Sequence, residues 1–153
     1  MSLTPAQLKL YQERSASKLS GDDSRLGAKH DRMYRGFIKK PVGKYVFKYY
    51  PLKLWPPVVG LTNQALRYWL RDGIITATKE HRMYVMCLAE QKALASVLRG
   101  HRYTKHSEIT SELVKDLQDA LRAVRAAIEI LSRAARPLTP AELTLLQVSI
   151  NDR

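Results

Sequence analysis

Lys44-Tyr45-Val46-Phe47-Lys48-Tyr49-Tyr50 is the stretch on which the reading of the fold turns. Its β-branched and aromatic residues have the composition of a short strand. One strand makes no sheet, however, and an extended segment packed along a partner would use the same residues. Working outward, residues 25–60 show no sustained helical period and carry Gly27, Gly36, Pro41, Gly43, Pro51, Pro56 and Pro57 among many lysines and tyrosines. This composition reads as an arm, and Trp55-Pro56-Pro57 favours an extended, preorganised conformation within it.

On both sides of the arm the signals are helical. Leu3-Thr4-Pro5-Ala6-Gln7-Leu8 combines a cap, a proline suited to the first helical position and a Leu3–Leu8 staple. It predicts a helix to about Leu19, followed by the polar turn Ser20-Gly21-Asp22-Asp23-Ser24. Thr62 caps a further helix that runs through Trp69 and Leu70 to Asp72, and Gly73 divides or kinks the helical pattern at that point. From Ile74 to Arg99, Val85, Leu88, Leu94 and Leu98 keep a helical spacing, and Gly100 stands where a left-handed cap belongs. The clearest helix runs from about Thr110 to Ala135, with Val114, Leu117, Leu121, Val124, Ile128 and Leu131 on one face. Leu138-Thr139-Pro140-Ala141-Glu142-Leu143 then repeats the opening cap almost residue for residue. The echo is shared local chemistry, because no fixed period is sustained.

The expected fold is therefore mainly α: an antiparallel helical hairpin or small bundle with an extended basic-aromatic arm and short terminal helices. The corresponding organisation is an N-terminal helix and linker over 1–24, the arm over 25–60 and a helical domain over 61–153. With 153 residues, 45% of them hydrophobic, the chain has apolar material for one domain and hardly for two.

The formal charge is +12, from 26 Lys plus Arg against 14 Asp plus Glu. It is unevenly spread: residues 1–60 carry +8, 61–107 carry +5 and 108–153 carry −1. An acidic partner would dock on the first two segments. No run approaches the roughly 18–20 apolar residues that span a bilayer. Lys9, Arg14, Ser15, Ser17 and Lys18 have the flavour of an organellar presequence, which Glu13 and the strong helix cap oppose.

Catalytic constellations are missing from the pattern. His30, His81, His101 and His106 lack metal spacing, and the single cysteine, Cys87, lies in an apolar context that favours an inert thiol. Asp22-Asp23 lacks the further oxygen ligands of a calcium loop, and the glycines never group into a phosphate-cradling loop. The expectation is a non-enzyme without metal or cofactor.

What stands out is the interleaving of bases and aromatics: Arg32, Tyr34, Arg35, Lys39, Lys40, Lys44, Tyr45, Phe47, Lys48, Tyr49, Tyr50, Lys53 and Trp55, joined by Trp69 as an anchor. Such residues hold protein interfaces, suit anionic lipid headgroups at a membrane surface, or neutralise phosphates while stacking on unpaired bases. No RNP, KH or helix-turn-helix signature supports the last use. The favoured expectation is a structural accessory subunit docked on protein subunits of a large assembly, of the kind found in mitochondrial respiratory or ATP-synthase complexes. The alternative is an RNA-binding structural protein of ribosomal type.

Overall fold

The lysine- and tyrosine-rich stretch folds into a hairpin of its own. Strand β1, Ile38–Val42, pairs antiparallel with β2, Tyr45–Pro51, in a register that sets Val42 opposite Tyr45 across the two-residue turn Gly43-Lys44. Gly43 has φ +59, the left-handed region such a turn demands. A β-carbon there would also collide with the Leu131 carbonyl oxygen, so the position excludes a side chain twice over. Pro41 cannot donate to a ladder, which suits β1 to a sheet edge.

A second hairpin supplies the missing partner. β3, Thr78–Glu80, pairs with β4, Met83–Cys87, and β4 pairs with β2 through Tyr49↔Cys87 and Pro51↔Val85. The order is β1-β2-β4-β3, antiparallel throughout, and the sheet curls into a half-barrel. Val85, Met86 and Cys87 are all buried, so both faces of this central strand are covered.

Between the hairpins lie a 3-10 turn, Leu52–Leu54, a single-turn helix α1, Pro56–Val59, and α2, Asn63–Arg71. After β4 come α3, Leu88–Gly100, α4, Ser111–Arg133, and α5, Pro140–Ile150. Each long helix starts on a chemical cap. Thr110 Oγ1 accepts from Leu113 N, and Thr139 and Glu142 form a reciprocal capping box. The Cys87 amide donates to Glu90 Oε1, and the buried Ser149 hydroxyl of α5 accepts from Ala89 N, tying α5 to the start of α3. The buried face of α4 is Leu113, Leu117, Leu121, Val124 and Ala127.

This computed structural model describes residues 4–5 and 36–152, and the elements above belong to the unit Phe37–Arg153. The helix expected to Leu19, the linker at 20–24 and the presequence-like residues lie outside the described residues, as do Arg32, Tyr34 and Arg35.

The mainly helical hairpin with an extended arm is thus replaced by a mixed α/β fold. The stretch from 37 to 55 does not hang free: Phe47 and Trp55 are fully buried, and Trp55 packs with Leu66, Trp69, Ile75, Met86, Leu94 and Leu98 in the principal core. The indole Nε1 donates to the Tyr50 carbonyl at 2.7 Å, which satisfies the only polar atom the ring takes inside. Trp55-Pro56-Pro57 is the entry to α1 and not an extended segment, since a proline fits the first turn of a helix as well as it fits polyproline geometry. The helical reading of 74–99 fails over its first half. Met83 to Cys87 is a short continuous apolar run, the signature of a strand buried on both faces, and its period is indistinguishable from that of a helix.

Candidate nucleic-acid interface

Two short helices and a turn stand at one end of this core. α1 closes on Gly60, whose φ of +87 places it in the left-handed conformation of a helix C-cap. Leu61 and Thr62 follow, and the Thr62 hydroxyl accepts from Ala65 N at 3.1 Å to open α2. A helix, a three-residue connection containing glycine and a second helix are the parts of a helix-turn-helix. The linear pattern shows no such signature because α1 is one turn long and carries no periodicity of its own.

The two faces of α2 divide sharply. Leu66 and Trp69 are buried, the latter edge-on to the Tyr103 ring at 5.5 Å, while Gln64, Arg67, Tyr68 and Arg71 are exposed. Those four positions recur at intervals of three and four and so share one side of the helix. The side chains are ordered among themselves. Arg67 Nε donates to Asn63 Oδ1 at 2.8 Å, Gln64 Nε2 to the Tyr68 hydroxyl at 3.3 Å, and the Arg71 guanidinium lies 4.6 Å over the Tyr68 ring. The first carboxylate reached along this face is Asp72, just beyond the helix, which accepts from Arg71 Nε at 3.0 Å.

Six residues separate α2 from the β3–β4 hairpin. Its turn is His81-Arg82, both exposed and both at positive φ, +48 and +66. Two-residue hairpin turns need such angles and ordinarily use Asn-Gly, so two bulky side chains here hold the backbone in a costly conformation. Lys79, on the adjacent strand, reaches over the Tyr84 ring.

The link between α2 and the hairpin is clamped to α4. Gln118 Nε2 donates to the Gly73 carbonyl at 3.2 Å, and Arg125 Nη1 and Nη2 donate to the Thr76 hydroxyl and carbonyl at 2.5 Å. Gln118 and Arg125 are seven residues apart, about 10 Å along the helix. Arg125 is held in turn by the buried Glu90 carboxylate, 2.8 Å from its Nε. The basic face of α2 and the basic hairpin tip are therefore attached to one rigid strut.

The residues singled out from sequence are dispersed by comparison. Phe47, Tyr49, Trp55 and Trp69 are inside the core. Tyr50 is half-buried, its hydroxyl donating to Asp152 Oδ2 at 2.6 Å. Lys40 is paired with Glu80 and lies over the Tyr49 ring. Lys39 and Lys44 are exposed and, with Tyr45 and Lys48, border a concavity of about 330 Å³ that Asp152 also lines. Lys53 is exposed on the 3-10 turn. Gln64, Arg67, Tyr68, Arg71, Lys79, His81 and Arg82 were missed. Their signal was legible in part, as the polar positions opposite Leu66 and Trp69 on a helix with a recognisable Thr62 cap.

Cys87 is fully buried, and burial, with the Glu90 carboxylate nearby, pushes its thiol up to about 12. It is therefore protonated and unreactive near neutrality. Among the described residues no group of three or more His, Cys, Asp or Glu is placed to hold a metal ion, and no helix is long and apolar enough to cross a membrane. No family model matches the chain, and no curated protein or solved structure matches it either.

Proposed function

We propose that this protein binds duplex DNA, with α2 in the major groove and the His81-Arg82 hairpin tip against the adjoining backbone. The observation that carries the reading is the exposed face of α2: a glycine turn from a preceding helix, an apolar side locked in the core, and Gln64, Arg67, Tyr68 and Arg71 outward. A major groove about 12 Å wide admits one α-helix, and the second helix of a helix-turn-helix is the one that enters it. Arg71, Lys79 and Arg82 are exposed cations that would meet phosphates, and a net charge of +12 favours the encounter. A-form RNA presents a major groove too deep and narrow for side chains to read, which turns the same face toward DNA.

Fluorescence anisotropy of the full chain against labelled duplex DNA, with single-stranded RNA as competitor, tests this. Duplex binding is expected to weaken with salt at a logarithmic slope of about −3, for three phosphate-contacting cations at roughly −0.9 each. A double variant, Arg67→Ala with Arg71→Ala, should lose most of the affinity. Absence of duplex binding at low salt, or full affinity in the double variant, overturns the proposal.

The reading as a docked subunit is supported by a separate surface. Leu131, Leu138, Leu143 and Ile150 line an open groove of about 770 Å³ beside the Gly43-Lys44 turn, and Leu143 and Leu145 are exposed. Exposed apolar clusters of this kind mark protein contacts. Native co-purification tests it: a protein partner retained by the wild type and lost on Leu143→Asp supports docking, and retention by the variant argues against this surface.

A further inference from the structure

We infer that α2 selects guanine within duplex DNA and that Arg67 is the residue that reads it, an inference that rests on the duplex-binding reading above. The two arginines of α2 are not equivalent. Arg67 lies in the middle of the helix, and its Nε is committed to Asn63 Oδ1, one turn toward the N-terminus, at 2.8 Å. That bond holds the side chain along the helix toward its first turn, the direction long helical side chains take, and the first turn is what meets base edges when a second helix enters the groove. Nη1 and Nη2 of Arg67 make no hydrogen bond or ion pair with the described residues. A planar pair of donors, pre-oriented and uncommitted, matches the O6 and N7 acceptors that only guanine presents together in the major groove.

Arg71 is built for another task. It is at the C-terminal end of α2, its Nε is taken by Asp72 at 3.0 Å and its plane is laid over the Tyr68 ring. A guanidinium fixed there, with a carboxylate beside it, suits a phosphate contact that sets register and carries no sequence information. Gln64, on the exposed side of the first turn, gives one Nε2 N–H to the Tyr68 hydroxyl, and its second N–H with Oε1 is the pair that matches adenine N7 and N6, a different base. Arg67 is thus the guanine reader on this face, through the Nη pair its bond to Asn63 leaves open.

Repeated selection from a pool of randomised duplexes with the full chain, followed by anisotropy on the enriched sequence, tests the inference. One guanine position is expected to be invariant, and replacing that base by 7-deazaguanine, which removes N7 without touching the protein, should weaken binding about ten-fold or more. Arg67→Ala should cost a similar factor on the enriched duplex and abolish the preference at that position. Arg71→Ala should weaken all duplexes alike and reduce the salt slope by about one. Circular dichroism establishes that both variants fold. Duplex binding with no enriched guanine, or with the preference intact in Arg67→Ala, overturns the inference while the duplex-binding reading stands. No duplex binding by the wild type overturns both.

Discussion

Lys40 Nζ lies 2.5 Å from Glu80 Oε1, although Lys40 is on β1 and Glu80 on β3, the two outermost strands of the sheet. Two strands separate them in the hydrogen-bonded order, so only a curled sheet brings the side chains together. The pair does two things: it spans the half-barrel, and it neutralises the one carboxylate of the β3–β4 hairpin, which directly precedes the basic His81-Arg82 turn.

Glu80→Gln separates these roles. Both side chains are about a third exposed, so the ion pair is worth roughly 0–1 kcal/mol and the urea midpoint should move little. Duplex affinity should rise, because one repulsive charge leaves the hairpin. A fall in affinity would assign the pair to positioning the hairpin and not to screening it.

The glycines at the two turns should respond differently to a methyl group. Gly43→Ala meets the Leu131 carbonyl as well as a φ of +59, whereas Gly60→Ala faces only its φ of +87 with nothing within 4 Å. The expected losses are about 1 kcal/mol at Gly60 and at least about 2 kcal/mol at Gly43. Urea denaturation of the two variants checks the order.

Arg125→Ala removes the clamp between Glu90 and Thr76. Glu90 is left buried without its cation, while Arg125 itself is about a third exposed, so the expected cost is about 2–3 kcal/mol, short of the roughly 3–5 kcal/mol for a wholly buried pair. Beyond stability, the link from α2 to the hairpin loses its tie to α4. Hydrogen exchange should rise at 73–80, and duplex affinity should fall even though Arg125 is far from the proposed groove contacts in sequence. Unchanged exchange there would remove the strut from the account.

Glu142 gives the protein an acid limit at α5. Arg136 Nη1 and Nη2 bond its two carboxylate oxygens at 2.7 and 2.8 Å and the Thr139 amide adds a third bond, holding the carboxyl down to about 2 from 4.5. A group whose folded value is depressed stabilises the fold above its unfolded value and loses that contribution as pH falls. The cap should therefore be fully effective above about pH 4.5 and lost toward pH 2. Helical ellipticity and the urea midpoint should fall over that window, and Glu142→Gln should flatten the dependence.

Much of the chain was legible as a linear pattern, and the reason is local. Thr62, Thr110 and Thr139 announce their helices because a hydroxyl caps amides two or three residues away, and Leu113, Leu117, Leu121 and Val124 mark a buried face because helical period is a property of the segment alone. The sheet was not legible in the same way. A strand is stabilised only by its neighbours, and Tyr45–Pro51 finds its neighbour at Met83–Cys87, more than thirty residues away, past a turn whose His81-Arg82 lacks the residues that normally advertise a hairpin.

That long-range pairing reverses the meaning of the basic-aromatic stretch. As a string, Phe47, Tyr49 and Trp55 look like anchors awaiting a partner; in the folded unit they are core, because the second hairpin and α3 supply the apolar surface that covers them. The helix from Thr62 to Asp72 could be read from residues, yet which of its faces is left outward, the Gln64, Arg67, Tyr68 and Arg71 side, is decided only when Leu66 and Trp69 are drawn inward. Local chemistry decided where helices begin and which of their faces are apolar. Tertiary burial decided which charges were left at the surface together, and with them what the molecule is equipped to touch.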